Sequence, residues 1–488
     1  MASTEIRHSA LLFTGTAWLL LLLSASGCAI AGKDYKRPGL DLNEAWNNSI
    51  DGGLAHSSTE TQDMVFWWKN LDDPVLAELI ERAVQRNTDL RQAKSRLREA
   101  RAQRSVVKAG FFPTLDAGGK VTRSRAGGDA GDVSNKTMYS TGFDAAWEID
   151  LFGGLRRSVE AAEADLEAGR EDVNDVLVSL TAEVALNYVE LRMYQARLDV
   201  AEKNLLMQEE TYQLEQYRLL AGLSDELATA QARSNMEKTR SGIPSLRTRV
   251  EQAKNRIAVL LGGQPGSLHE ELKGCKPLPS APAGLALGVP ADVLRRRPDV
   301  RRAEQELAAQ CARVGVAEAD LYPRITLNGS IGYDALSTGN LFKTGSRSWS
   351  FGPRITWPVF QAGSVRASIE IASARQEQAL IEYESVVLSA VEEVENAVMA
   401  YVQEQIRRDS LEEAVKAARQ GVDFAQNRYD AGLSDFDSLL DAQRTLLSYE
   451  DELVQSKTAV ITDLISLYKA LGGGWSSMVP KTDTSISN

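Results

Sequence analysis

Cys28 is the residue with the clearest chemical prediction, because its surroundings indicate a lipid attachment site. An apolar run from Ala10 to Leu23 follows Arg7 and leads into Ala25-Ser26-Gly27, directly before Cys28. The run is too short to cross a membrane comfortably and is typical of an export signal. Small residues before a cysteine resemble the bacterial lipoprotein cleavage box, where the cysteine becomes the new N-terminus and its thiol carries a diacylglycerol. We therefore predict a signal over residues 1–27 and lipidation at Cys28; the alternative is an ordinary signal peptide with an incidental cysteine.

Other reactive side chains are few. After cleavage only two histidines remain, His56 and His269, and the sequence contains no nucleophile elbow, phosphate-binding loop or metal-ligand cluster. Cys275 and Cys311 lie in dissimilar contexts at no metal-like spacing, which favours two separate thiols over a disulfide. The formal net charge of −12 argues against a nucleic-acid partner. The sequence predicts neither an enzyme nor a protein with a metal or cofactor.

The chain repeats itself at an offset of 210 residues. The run Ala221-Gly222-Leu223-Ser224-Asp225 returns as Ala431-Gly432-Leu433-Ser434-Asp435. Further pairs at the same offset are Asp89 and Asp299, Pro113 and Pro323, and Trp147 and Trp357. One constant offset over several landmarks indicates a tandem duplication in which each copy forms one structural unit.

Each copy is predicted to contain a helix, two strands, a long helix and a return helix. In the first copy these elements are expected at 75–109, 114–123, 138–151, 154–220 and 225–261. In the second copy they are expected at 291–320, 324–335, 347–360, 364–430 and 434–471. The predicted division of the chain is 28–73 (N-terminal anchor and equatorial segment), 74–270 (first repeat), 271–290 (linker), 291–475 (second repeat) and 476–488 (tail).

The long helices carry a coiled-coil pattern. A helix over 154–220 would be about 100 Å long at about 1.5 Å per residue. Leu177, Thr181, Val184, Tyr188 and Leu191 are spaced by 4, 3, 4 and 3 residues, which predicts a packed seam. The first return helix contains Pro244, which is expected to interrupt and kink it, whereas the second has Val454 at that position.

The strands alternate between an apolar, aromatic face and a polar one. Phe143 and Trp147 share the apolar face of 138–151, and Trp349 and Trp357 share that of 347–360. Strands of about ten residues with terminal aromatics are typical of a transmembrane barrel, in which this face contacts lipid. The alternative is an edge hairpin packed on helices. Four strands cannot close a barrel, since about eight are the usual minimum, so a barrel would require several chains.

These features together resemble the TolC-type outer-membrane factors, and specifically the lipoprotein branch in tripartite RND-type efflux systems. The resemblance covers almost the whole mature chain. It includes Tyr35 with Pro38, Phe66-Trp67-Trp68, Asp73-Pro74, Asn87 with Asp89 and Leu90, Arg297-Pro298-Asp299-Val300, and Ala470-Leu471-Gly472-Gly473-Gly474-Trp475. Their order, spacing and duplication are specific, although no single piece is.

The resemblance implies an α+β fold in a homotrimer. Three chains would contribute twelve strands to one outer-membrane β-barrel, continued by a long α-helical barrel through the periplasm. The lipid on Cys28 would be an auxiliary anchor in the bilayer. The implied partners are a periplasmic adaptor protein and an inner-membrane pump.

The resemblance also assigns roles to the two helical turns. In the family these tips meet the adaptor, so the candidate docking residues are Arg218, Gly222, Leu223, Ser224, Arg428, Gly432, Leu433 and Ser434. The alternative for both glycines is a purely structural role as left-handed helix terminators.

The second tip is rich in acidic residues. Threefold symmetry would turn each inward aspartate into a ring of three, and such rings select cations. The candidate gate residues are Asp435, Asp437 and Asp441. The alternative is a solvated helix start, where aspartate is favoured in any case.

The predicted function is a passive duct through which an energised pump expels small molecules. Two alternatives remain open at this stage: a duct for type I protein secretion, and a coiled-coil lipoprotein without a pore that spans the envelope. Drug, solvent, dye and metal substrates are not separated by the sequence.

Overall fold

The computed structural model describes residues 30–39, 45–47, 54–56, 64–125, 135–280, 285–287 and 290–475. The predicted signal, Cys28 and the predicted tail lie outside these residues. The chain divides into two compact units, the first comprising Met1–Gly39, Leu97–Gly169 and Arg302–Tyr383. The second unit comprises Leu40–Arg96, Arg170–Arg301 and Glu384–Asn488.

The first unit contains a four-stranded antiparallel sheet. Its strands are β2 (Thr114–Arg125), β3 (Asn135–Ile149), β5 (Arg324–Ala335) and β6 (Arg347–Thr356), in the spatial order β2-β3-β5-β6. The two strands of each copy form a hairpin, and β3 joins the two hairpins by pairing with β5. The four strands lie where the sequence predicted them, with bounds that differ by up to four residues.

Helices make up most of the remaining structure. In chain order they are α1 (Pro74–Arg86), α2 (Thr88–Ala109), α3 (Gly154–Leu220), α4 (Glu226–Leu260), α5 (Pro290–Arg296), α6 (Pro298–Ala319), α7 (Ser364–Asp430) and α8 (Phe436–Ala470). A short parallel pair, β1 (Leu54–His56) with β4 (Leu285–Leu287), belongs to the second unit. Among the described residues, no helix is both long and apolar enough to cross a membrane.

The predicted bounds of both long helices are confirmed at each end. The helices run this far because neither contains a proline, and a glycine follows each. The bounds of α3 and α7 differ by 210 residues at both ends, as do those of α2 and α6 and of α4 and α8. The predicted seam of α3 is buried from Leu177 to Leu191. Amphipathic packing, rather than intrinsic propensity, supplies most of the stability of such helices.

The prediction of one helix over 75–109 was wrong, since the chain forms α1 and α2 with a break at Asn87. The Asn87 side chain accepts hydrogen bonds from the N–H groups of Asp89 and Leu90 at 2.9 and 3.0 Å, which starts a new helix. The prediction over 291–320 was wrong for a related reason. Pro298 begins α6, and a residue before proline is disfavoured in helical conformation.

Pro244 does not interrupt α4, contrary to expectation. The helix continues from Glu226 to Leu260 with this proline inside it. A proline removes one helical hydrogen bond, which a 35-residue helix with ten buried side chains withstands.

Candidate functional site

The turn between α3 and α4 is closed by backbone geometry that a glycine makes possible. Gly222 has φ of 73°, in the left-handed region. Its N–H donates to the Leu219 carbonyl at 3.0 Å, and the Leu223 N–H donates to the Arg218 carbonyl at 2.8 Å. These two bonds form a Schellman motif, which satisfies carbonyls that the helix end would leave unpaired. The structural role considered for this glycine is therefore confirmed.

The second turn, between α7 and α8, has the same geometry. Gly432 has φ of 69°, and the Leu433 N–H donates to the Arg428 carbonyl at 2.8 Å. The residue after each glycine is a leucine with its side chain in solvent, since Leu223 is 72% and Leu433 70% exposed. Two apolar side chains are thus presented at the same position of two equivalent turns.

A buried carboxylate links the two tips. The Glu215 side chain on α3 is fully buried and accepts hydrogen bonds from the Tyr429 hydroxyl at 2.5 Å and the Ser224 hydroxyl at 2.8 Å. The Arg218 guanidinium lies 4.3 Å above the ring of Tyr429. Burial, followed by the hydrogen bond to Glu215, raises the pKa of Tyr429, so the phenol stays neutral and donates. This cluster holds the end of α3 against the end of α7.

The sequence analysis missed Glu215 and Tyr429. Their counterparts at the offset of 210 are Ala425 and Leu219, so the repeat itself contained the signal. A polar residue in one repeat whose counterpart in the other repeat is apolar indicates a contact that the chain makes only once. The two predicted serines differ accordingly, because the Ser224 hydroxyl donates to Glu215 whereas the Ser434 hydroxyl donates to the adjacent Asp435 carbonyl at 3.4 Å.

The acidic residues of the second tip occupy two kinds of position. Asp435 caps α8 by accepting from the Ser438 N–H at 3.1 Å and from the Ser438 hydroxyl. These two hydrogen bonds lower the pKa of Asp435. Asp437 and Asp441 follow on one exposed face of α8, one helical turn apart, and the Asp441 carboxylate lies 3.8 Å from Arg444. The helix-start role considered for Asp435 is confirmed, and the gate role of all three residues stays a prediction.

The four aromatic residues predicted to contact lipid are exposed, although they are apolar. Phe143, Trp147 and Trp349 lie in the strands, and Trp357 directly follows β6. The Trp147 indole N–H donates to the Phe111 carbonyl at 2.9 Å, and that of Trp357 donates to the Leu321 carbonyl at 3.0 Å, an equivalent bond. Exposed aromatics of this kind are typical of a surface that contacts something other than water.

Arg157 fixes the segment Ile30–Gly39 to the rest of the first unit. This guanidinium donates to the Ala31 carbonyl at 3.0 Å and to the carboxylate of Asp34 at 2.8 Å. Cys275 and Cys311 are free thiols, as predicted. No cluster of potential metal ligands occurs within the described part of the chain.

Comparisons with known proteins identify the family. The sequence profile of the outer membrane efflux protein family matches twice, over residues 79–263 and 289–473. This chain belongs to that family. The bounds of both matches differ by 210 residues, the offset of the duplication. The expected outer-membrane location and efflux role are confirmed.

Individual relatives support the same conclusion. The solvent efflux pump outer membrane protein SrpC of Pseudomonas putida is 32% identical, covering 94% of this chain and 98% of its own length. The cation efflux system protein CusC of Escherichia coli O6:H1 is also 32% identical, covering 93% and 97%. The structure of the outer-membrane channel OprN superimposes with a TM-score of 0.85 at 39% identity, covering 91% of this chain and 99% of OprN. The names of these three relatives describe efflux proteins and an outer-membrane channel.

Proposed function

We propose that three copies of this chain form the outer-membrane duct of a tripartite efflux pump and that substrate passes through it passively. The observation that carries this proposal is the four-stranded sheet, which exposes an aromatic face and ends in two strands, β2 and β6, each paired on one side. In lipid every backbone polar group must be paired, so a spanning sheet must close on itself. Four strands are too few for closure, and three chains supply twelve.

The tips are proposed to bind the periplasmic adaptor. The exposed side chains of Leu223 and Leu433 support this role, because a partner that covers them removes apolar surface from water. Burying one leucine contributes about 1.5–3 kcal/mol, so six leucines per trimer offer a substantial binding surface. Arg218 and Ser224 support the first tip, since both contact the buried cluster.

The acidic residues of the second tip are proposed to form the pore constriction. Asp437 and Asp441 are exposed on α8, and threefold symmetry would multiply each into a ring of three carboxylates. Like charges held close together repel one another, and a ring of carboxylates attracts cations.

Substrate choice is proposed to belong to the pump rather than to this channel. SrpC is named for solvent efflux and CusC for cation efflux, yet this chain is 32% identical to each. The chain has only 8 methionines, so a path of soft ligands for metal ions has little support. The proposal is therefore a duct for small molecules of more than one class.

Native mass spectrometry of the detergent-extracted mature protein tests the assembly. We expect a trimer with three acyl-modified chains. Cys28→Ser serves as the matched control, which should remain trimeric and lose the lipid mass. Planar-bilayer recordings of the same sample should reveal a conducting pore. A monomer or dimer without conductance would contradict the proposed duct.

A further inference from the structure

The two end strands of the sheet present backbone groups that need a partner. β2 pairs only with β3, and β6 only with β5, in the described sheet. An unpaired edge inside a membrane would leave its N–H and C=O groups unsatisfied, at a cost of several kcal/mol for each group. On the proposed function, the strand that fills each edge belongs to a second copy of this chain.

The duplication preserves strand register as well as strand position. In the first hairpin Thr114 pairs with Ala146, and the numbers of every pair sum to 260. In the second hairpin Arg324 pairs with Thr356, and the sum is 680. The difference is 420, twice the offset of 210, so both hairpins have one register. The indole hydrogen bonds of Trp147 and Trp357 agree with this equivalence.

The contact between the two hairpins then predicts the contact between copies. Within the chain β3 pairs with β5, from Tyr139 with Ala335 to Ile149 with Ile325, and each pair sums to 474. The counterpart of β3 at +210 is β6, and the counterpart of β5 at −210 is β2. Because 210 is added to one residue number and subtracted from the other, the numbers of each β6–β2 pair also sum to 474.

We propose that β6 of one copy pairs antiparallel with β2 of the next copy in the register whose residue numbers sum to 474. Ile355 then lies opposite Gly119 of the next copy, and Pro353 lies opposite Val121. Proline has no N–H to donate and is found on edge strands, and within the chain Pro353 lies opposite Leu327. The inference rests on the proposed trimer and adds the register to it.

The helices α3 and α7 indicate the same contact between copies of the chain. On α7, Ile371 is 53% exposed, whereas its counterpart on α3, Ala161, is 5% exposed. Likewise Ile381 is 57% exposed and its counterpart Glu171 only 6%. Ile371 and Ile381 of the second repeat are therefore uncovered apolar side chains, whereas their counterparts in the first repeat are buried within the chain.

The exposed helix face that would cover α7 of a neighbouring chain is on α2. Ala102 is exposed, while its counterpart on α6, Ala312, is 2% exposed, and Val106 of α2 is exposed as well. Within the chain α6 reaches α3 through Arg313 and Asp165, whose Nη2 and Oδ2 atoms are 2.5 Å apart. By the same equivalence α2 of the next copy covers α7, so strands and helices require the same neighbour.

The proposed register contains one unfavourable pair, which a register shifted by one residue would avoid at a larger cost. Lys120 lies opposite Arg354 of the next copy, and like charges in directly opposed positions are destabilising. A slip by one residue would avoid this pair, but it would turn every side chain of β6 to the wrong face. Because the aromatic face runs along the whole strand, the slip would have the larger cost.

Cysteine crosslinking tests the register. In a Cys275→Ser/Cys311→Ser background, Gly119→Cys is combined with Ile355→Cys, and oxidation with copper phenanthroline is followed on denaturing gels. A Cβ at Gly119 would meet no atom closer than 4.0 Å, so the substitution fits. Directly opposed residues satisfy disulfide geometry, whereas diagonal ones are too far apart. We expect covalent trimers, formed at least fivefold faster than in the slipped pairs.

The slipped pairs are Ile355→Cys with Lys120→Cys, which is displaced by one residue, and Ile355→Cys with Val121→Cys, displaced by two. Val121→Cys with Pro353→Cys provides a second pair in the proposed register, should the first fold poorly. The background protein, without an engineered pair, should not crosslink. Native mass spectrometry of each variant records its assembly before oxidation.

The outcomes separate the two proposals. Trimers that crosslink fastest at a sum of 474 support the register. Trimers that crosslink faster in a slipped pair, or in no pair, overturn the register and leave the trimeric duct intact. Monomers that do not crosslink overturn both.

Discussion

Removal of the Tyr429 hydroxyl should loosen the link between the two tips. The hydroxyl donates at 2.5 Å to the carboxylate of Glu215, a residue with no exposure to solvent. A hydrogen bond to a charged group contributes about 1.5–3 kcal/mol. Since about 1.4 kcal/mol is a factor of ten, Tyr429→Phe should raise the local opening equilibrium of the tips roughly 10- to 150-fold.

Hydrogen–deuterium exchange measures this opening directly. We expect faster exchange in the last turns of α3 and α7, with no change near the sheet. Tyr217→Phe is the matched control, because Tyr217 is 69% exposed on the same stretch of α3 and its hydroxyl deletion should change exchange less than about twofold. Equal exchange in the two variants would refute the idea that this hydrogen bond holds the tips together.

Three further predictions concern docking, gating and pH. Replacing Leu223 and Leu433 together with aspartate should abolish efflux in cells while native mass spectrometry still detects the trimer; normal efflux would remove the docking role. Replacing the three acidic residues of the second tip with alanine should raise the conductance in planar bilayers and weaken cation selectivity, and unchanged currents would place these acids away from the pore. Burial, with a smaller effect of nearby Glu404, raises the pKa of Asp463 to about 6. A raised pKa means that the stability from this group is present below about pH 4 and is lost as the pH rises through 6. Asp463→Asn should therefore raise the free energy of unfolding at pH 7 by about 1–3 kcal/mol, and with it the thermal midpoint. The midpoint of this variant should also change less between pH 4 and 6; an unchanged profile would contradict this assignment.

The long helices and the strands could be predicted from the sequence because their signals are local. A run without proline up to Gly222 defines α3, and period-two alternation defines the strands. The break at Asn87 could not be predicted this way, since the residue can also occur inside a helix. Its side-chain amide donates to the Leu260 carbonyl, a contact 173 residues away, and that partner is invisible to a local pattern.

The candidate site was predictable to a similar degree. The turn glycines and exposed leucines follow from a motif that occurs twice, and their geometry agrees with it. Glu215 was missed because a glutamate on a charged helix is ordinarily solvated, and only the fold brings Tyr429 of the second repeat to it. Reading the repeat for its differences, rather than for its matches, would have singled out both residues.

The Glu215–Tyr429 contact has a mechanical consequence for the proposed trimer. Six helical hairpins would meet at the tips, with three seams inside chains and three between them. Each seam inside a chain carries the buried hydrogen bond, whereas each seam between chains would oppose the counterparts Ala425 and Leu219. A ring of hairpins built this way has three strong contacts alternating with three weaker ones. The weaker contacts separate first, so the opening at the tips widens by movement of three pairs of hairpins rather than of six separate hairpins.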